Sequence, residues 1–298
     1  MKKARVKIIE CPRDAMQGIK RFIDTADKVR YINSLLQVGF DTIDFGSFVS
    51  PKAIPQMRDT AEVVASLDMS KTQTDLLAII ANVRGASDAV RFEQISYLGY
   101  PFSISEIFQM RNTAKTIAES VDVLKQILEI ADKHNKQTVV YLSMGFGNPY
   151  GEPWSPELVA EWTEKLYRMG VRILSLSDTV GAATAETVSL LFGHLIPAYP
   201  EVEFGAHLHT HPDNWYDKVQ AAWQAGCRRF DTAIKGLGGC PMAKDELVGN
   251  LPTEKLISFL NKNRVEHRLN MTAFENAYNE AQRIFSGPQL KQNIFDRV

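Results

Sequence analysis

The chain of 298 residues is 45% hydrophobic and 23% charged, with 34 basic and 35 acidic side chains and a formal net charge of −1. That composition is ordinary for a globular protein and lacks the basic excess of a nucleic-acid binder, so no nucleic-acid partner is expected. No apolar run approaches the roughly 18 residues of a membrane helix, and the opening residues lack the apolar segment of a secretory signal, so a cytoplasmic protein away from the membrane is expected.

Short β-branched apolar runs alternate with longer amphipathic stretches. Strands are predicted at 6–10, 42–45, 76–83, 92–98, 138–144, 172–178, 202–209 and 229–234. Helical patterns lie around 26–38, 53–67, 85–91, 104–134, 155–169, 184–197, 213–226 and 253–263. Gly39 closes the first apolar stripe, Ser155-Pro156 starts a helix with an N-cap and a proline at the first turn, and Thr184 with Glu186 starts another. Strict alternation predicts a parallel sheet, and this many units in this length suit a closed (β/α)8 TIM barrel. An open doubly wound sheet is the competing fold, but its glycine-rich first turn is replaced here by Cys11-Pro12-Arg13-Asp14. The barrel is expected over 1–265, with a C-terminal helical extension and tail at 266–298 packing on it.

In such a barrel the chemistry sits at the C-terminal ends of the strands. Polar residues gather there: Glu10, Arg13 and Asp14 after the first strand, Asp44 in the second, Ser143 after the fifth, Asp178-Thr179 after the sixth and His207 and His209 in the seventh. His207 and His209, two apart in a strand, share a face. They make either half of a metal site, with Asp14 as the best oxygen donor, or two hydrogen-bonded interior polar groups. Mixed nitrogen and oxygen donors would suit Mg²⁺ or Mn²⁺ rather than structural zinc. Arg13-Asp14 reads as a surface ion pair or as a fixed guanidinium facing a developing oxyanion. Cys240, in Gly236-Leu237-Gly238-Gly239-Cys240, reads as an inert small residue or as a proton donor on a glycine-hinged flap. Cys11, Cys227 and Cys240 are too few for a disulfide scaffold, which fits a reducing compartment. Asp44 and Asp178 read as supporting carboxylates or interior polar residues.

Taken together, VKIIECPRDAMQ (6–17), GFDTIDFGSFVSPKAIPQM (39–57), SEIF (105–108), LSMGFGNPYG (142–151), LSDTVG (176–181), AHLH (206–209), GLGGCPMA (236–243) and GNLPTE (249–254) resemble the hydroxymethylglutaryl-CoA lyase family. The resemblance runs in order over residues 5 to 265. It implies a divalent cation, Mg²⁺ or Mn²⁺, held by Asp14, His207, His209 and Asn250. It implies catalytic roles for Arg13, Cys240, Asp44 and Asp178, with Arg13 and Gln17 binding an acyl-CoA substrate. Arg13 would meet the charge of a thioester enolate, and Cys240 would protonate it. The proton leaving the substrate hydroxyl would go to Asp14 or to bound water. The products would be acetyl-CoA and acetoacetate, and the protein would be a homodimer.

The sequence departs from the family pattern at Asp44, where glutamate is usual, and at Cys11 and Ala15, where glycines flank the Pro-Arg-Asp core. It departs again in the longer, more charged PMAKDELVG segment (241–249) and near Asn148, where a cysteine is often found. Ala15 takes positive φ less freely than glycine, so a different first turn is expected. The alternative activities are an aldolase or an acyl-CoA condensing synthase acting on a 2-oxo acid, on the same barrel. A barrel retained only for binding is disfavoured by the survival of all these polar residues together.

Overall fold

The computed structural model describes residues 5–239 and 248–286. Its parallel strands are β1 (Lys7–Glu10), β2 (Thr42–Ser47), β3 (Asp75–Ile79), β4 (Ile95–Ser103), β5 (Gln137–Ser143), β6 (Ile173–Ser177), β7 (Glu203–His207) and β8 (Arg229–Thr232). They close in sequence order into a barrel. The seam is the β1–β8 pair, with Ile8 opposite Phe230 and Glu10 opposite Thr232. The expected (β/α)8 TIM barrel is therefore the fold.

The helices are α1 (Pro12–Gln17), α2 (Thr25–Leu36), α3 (Thr60–Ala65), α4 (Val83–Ala89), α5 (Glu106–Thr113) and α6 (Ile117–Lys133). They continue with α7 (Pro156–Arg168), α8 (Ala185–Ala198), α9 (Trp215–Gln224), α10 (Thr253–Lys262) and α11 (Met271–Ser286). The strands read as continuous apolar runs because both faces are covered. Ile8, Ile43, Leu98, Val140, Leu174 and Phe230 face outward into the core shared with the helices. Leu77, Ile79, Val139, Tyr141 and Ile173 form a separate apolar cluster. Gly99 gives that cluster its room: a Cβ there would stand 2.6 Å from Ile79 Cδ1.

The predicted helix over 104–134 is two helices. Ala114 ends α5 in the left-handed region, at φ 54°, and Thr116 starts α6 with a reciprocal capping box to Glu119. The strand predicted at 92–98 begins later and runs on to Ser103. Pro101 is tolerated there because β3 pairs no further than Gly99, whose carbonyl accepts from Ile80 on that edge. The strand predicted at 76–83 stops at Ile79, and Asn82 caps α4 by accepting from the Gly85 N–H at 2.9 Å. The first turn is helical, not glycine-like: α1 starts at Pro12, and none of its residues has positive φ. The C-terminal extension is α11, which lays Ala273, Phe274, Ala277, Ala281 and Ile284 against the barrel beside α2.

Candidate active site

The helix α1 is short but decides the site. Arg13, Asp14 and Gln17 are spaced so that Gln17 lies one turn on from both. Gln17 Oε1 accepts from Arg13 Nη1 at 2.7 Å, and Gln17 Nε2 donates to Asp14 Oδ1 at 2.6 Å. Arg13 Nη1 also donates to Asp14 Oδ1 at 3.0 Å. Asp44, buried in β2, takes Arg13 Nη2 at 2.5 Å and Nε at 3.1 Å. Of the five N–H donors of a guanidinium, one on Nη2 is left without a protein partner among the described residues.

Asp14, His207 and His209 offer ligand atoms that all lie within 4.8 Å of one another. His207 ends β7 and His209 follows it, their ring centroids 5.4 Å apart. Asn250 joins them from the far end of the chain: its Nδ2 donates to Asp14 Oδ2 at 2.6 Å and to the Leu237 carbonyl at 2.8 Å. The Asn250 backbone pairs with His209 in an antiparallel bridge. The Asn250 carbonyl oxygen takes no hydrogen bond among the described residues.

Charge selects what could bind. Arg13 is shared between Asp44 and Asp14, so the two carboxylates together leave one excess negative charge beside the imidazoles. Burial pushes Asp14 up, but Arg13, His207 and His209 outweigh it and hold the carboxylate below its usual range. Burial, with His207 alongside, lowers His209, so its ring is neutral and able to ligate. Burial likewise opposes the charged form of His207, but Asp231 more than offsets it and raises that ring above its ordinary value. Burial pushes Asp44 up to about 6 against the pull of Arg13, so it is ionised at neutral pH. The Asp14 carboxylate and the imidazoles of His207 and His209 form a donor set that fits a divalent cation, with the Asn250 amide beside it holding Asp14 through Nδ2.

These groups open onto a cavity of about 380 Å³ lined by Arg13, Asp14, Gln17, His207 and His209, with Tyr141, Ser143, Ser177 and Thr179 from neighbouring strands. Its remaining wall includes the apolar Ile54, Ile79, Pro101 and Phe108 and the basic Arg111.

Asp178 is brought close to the site but turned away from the cavity. Its carboxylate accepts from Lys218 Nζ at 2.7 Å and from the Ala183 N–H at 2.9 Å. Lys218 in turn donates to the His209 carbonyl at 2.9 Å, so the pair holds the backbone of a candidate ligand. Cys240 lies outside the described residues.

Two partners went unread in the sequence. Asp231 Oδ2 bonds His207 Nδ1 at 3.2 Å, and Lys218 anchors Asp178. Both carried a signal: Asp231 and Arg229 are opposite charges two apart in a short strand, and Lys218 shares the helix stripe of Ala221 and Ala222.

A sequence profile of the HMGL-like family matches residues 5–280. The chain belongs to that family. Among HMGL-like relatives, the hydroxymethylglutaryl-CoA lyase of Bacillus subtilis is 35% identical over 259 residues, 87% of this chain and 85% of that one. The 3-hydroxy-3-isohexenylglutaryl-CoA/hydroxymethylglutaryl-CoA lyase of Pseudomonas aeruginosa is 32% identical over 92% of this chain and 90% of its own. A solved HMGL-like structure, an HMG-CoA lyase of Acinetobacter baumannii with coenzyme A and 3-methylmalate, superposes with a TM-score of 0.87 at 28% identity, covering 99% of this chain and 97% of that one. No helix among the described residues is long and apolar enough to cross a membrane.

Proposed function

We propose that this protein is a carbon–carbon lyase that cleaves 3-hydroxy-3-methylglutaryl-CoA to acetyl-CoA and acetoacetate, using Mg²⁺ or Mn²⁺. The observation that carries the reading is the meeting of Asp14, His207 and His209 beside a braced arginine, in a chain this similar to enzymes of that activity. Asp14, His207, His209 and Asn250 would hold the cation. When bound, it would act as a Lewis acid that polarises the substrate hydroxyl and a neighbouring oxygen.

The chain's own residues supply the rest. The hydroxyl proton passes to Asp14 or to bound water, the C–C bond breaks as the alcohol carbon becomes a ketone, and the electron pair passes to the thioester carbonyl. Arg13 keeps one N–H for that growing negative charge, and Asp44 and Gln17 fix its plane beforehand. A shorter carboxylate than the usual glutamate suits Asp44 to this grip, since it meets both Nε and Nη2. Asp178, through Lys218, steadies His209. Cys240 is the proton donor to the enolate in this reading. The acyl-CoA enters by the cavity rim, where Arg111 offers a positive charge. A reducing cytoplasm suits the buried free thiols Cys11 and Cys227. A homodimer belongs to the same reading, and light scattering on the purified protein checks it.

The test is direct incubation of purified protein with 3-hydroxy-3-methylglutaryl-CoA and Mn²⁺ or Mg²⁺, with acetoacetate and acetyl-CoA measured together. Equal amounts of both products, abolished by a chelator, are expected. No cleavage with either metal overturns the reading.

A further inference from the structure

We infer that Asp231 is a positioning residue for the cation site, fixing the ring of His207 from inside the barrel, with Arg229 beneath it as its counter-charge. The inference rests on the proposed metal role of Asp14, His207 and His209.

Asp231 stands directly opposite His207 in the β7–β8 register and is 2% exposed. Its Oδ2 takes His207 Nδ1 at 3.2 Å and the Ser175 hydroxyl at 3.0 Å. A carboxylate oxygen only accepts, so Nδ1 carries the proton, and in the neutral ring Nε2 presents its lone pair. The ring's tilt is set as well: Tyr141 meets it edge-on with centroids 5.6 Å apart. Thus both the tautomer and the plane of His207 are chosen before any cation arrives.

Arg229 lies two residues before Asp231 on β8 and is 1% exposed, so its guanidinium sits within the barrel. Gly205 on β7 makes that possible. A Cβ there would come within 3.1 Å of both Arg229 Cδ and Ser175 Oγ. Among the described residues Arg229 makes one ion pair, Nη1 to Glu203 Oε1 at 3.0 Å, while its Nε and Nη2 find no partner there. Asp231 Oδ1 is likewise without a partner among the described residues. The positive charge therefore acts on Asp231 through the low-dielectric interior and not through a direct bond. Buried opposite charges of this kind give little net stability, and apolar residues of similar volume often serve as well or better. Its worth here lies in what it does to His207.

The test uses the double variant Asp231→Leu/Arg229→Met, which removes both charges of this pair together and keeps the interior filled. Mn²⁺ binding, read by the electron paramagnetic resonance signal of free Mn²⁺, should weaken about 10–100-fold against wild type. The metal-free variant should unfold at the same temperature as wild type or higher, an outcome that a purely structural role would not give. A second measurement needs no variant: nitrogen-15 shifts of histidines in metal-free wild type at pH 8 should show His207 protonated at Nδ1. A variant that binds Mn²⁺ within threefold of wild type, or a His207 protonated at Nε2 alone, overturns the inference. Wild type that binds no Mn²⁺ overturns the metal reading instead, and the nitrogen-15 shifts then decide by themselves whether Asp231 sets the ring.

Discussion

Arg13 is held by three side chains before any substrate arrives, and this is what distinguishes it from a surface cation. Replacing it with methionine keeps the volume and removes the donor aimed at the enolate. Arg13→Met should lower kcat on the order of 10²–10³-fold, measured as acetoacetate release at saturating substrate. Glu10 makes a second case. It is fully buried at the end of β1, accepting from the Ile234 N–H at 2.8 Å and sharing hydrogen bonds with Thr253 and Thr232. Burial pushes its carboxyl up to about 8. The folded chain therefore keeps a proton that the unfolded chain has released above its ordinary 4.5, so stability falls as pH rises across that window. The loss is on the order of 5 kcal/mol when complete. Glu10→Gln should flatten this slope, seen as urea midpoints at pH 6 and 8.5 that lie closer together than in wild type. At this scale the sequence was half legible. The histidine pair and Arg13-Asp14 announce themselves by spacing, whereas the local signals at Asp231 and Lys218 mark them as interior groups without naming His207 and Asp178, their partners far along the chain.

At the scale of elements, helix starts were easier to read than helix ends. Ser155, Pro156 and Thr184 carry their capping chemistry in their side chains, and the structure uses all three. The break between α5 and α6 depends on Ala114 in a left-handed conformation, a residue that gives no such warning. The helix α1 was missed because a proline after a strand reads as a turn, although proline at the first helical position is equally at home. Gly238, in the described start of the connection leaving β8, is closely packed. Gly238 has φ +102°, and a Cβ on it would lie 2.5 Å from Asn250 Nδ2 and 2.9 Å from the Asp14 carbonyl oxygen. Gly238→Ala should therefore push Asn250 off Asp14. Expected are an intact circular dichroism spectrum and a loss of Mn²⁺ affinity of tenfold or more by isothermal titration.

Across the whole molecule, the order of the strands places Asp14 and Asn250 on either side of the β1–β8 seam, although 236 residues separate them. A cation bridging both sides binds only the closed barrel, so it stabilises by mass action. At a hundredfold excess over Kd, Mn²⁺ should add about 2.7 kcal/mol and raise the thermal midpoint by a few degrees, with scanning calorimetry as the check. Closure itself was legible because eight alternations of strand and helix leave few other solutions, and α11 lies within the helical extension expected after 265. Which interior positions would be charged was not, since Arg229 depends on a glycine in the next strand.

The hydrogen bond from Asn250 to Asp14 has a consequence for how the protein comes into being. Asp14 is made early and Asn250 some 236 residues later. In the proposed reading, a nascent chain therefore cannot complete its hold on the ion before Asn250 has been made and the β1–β8 seam has closed.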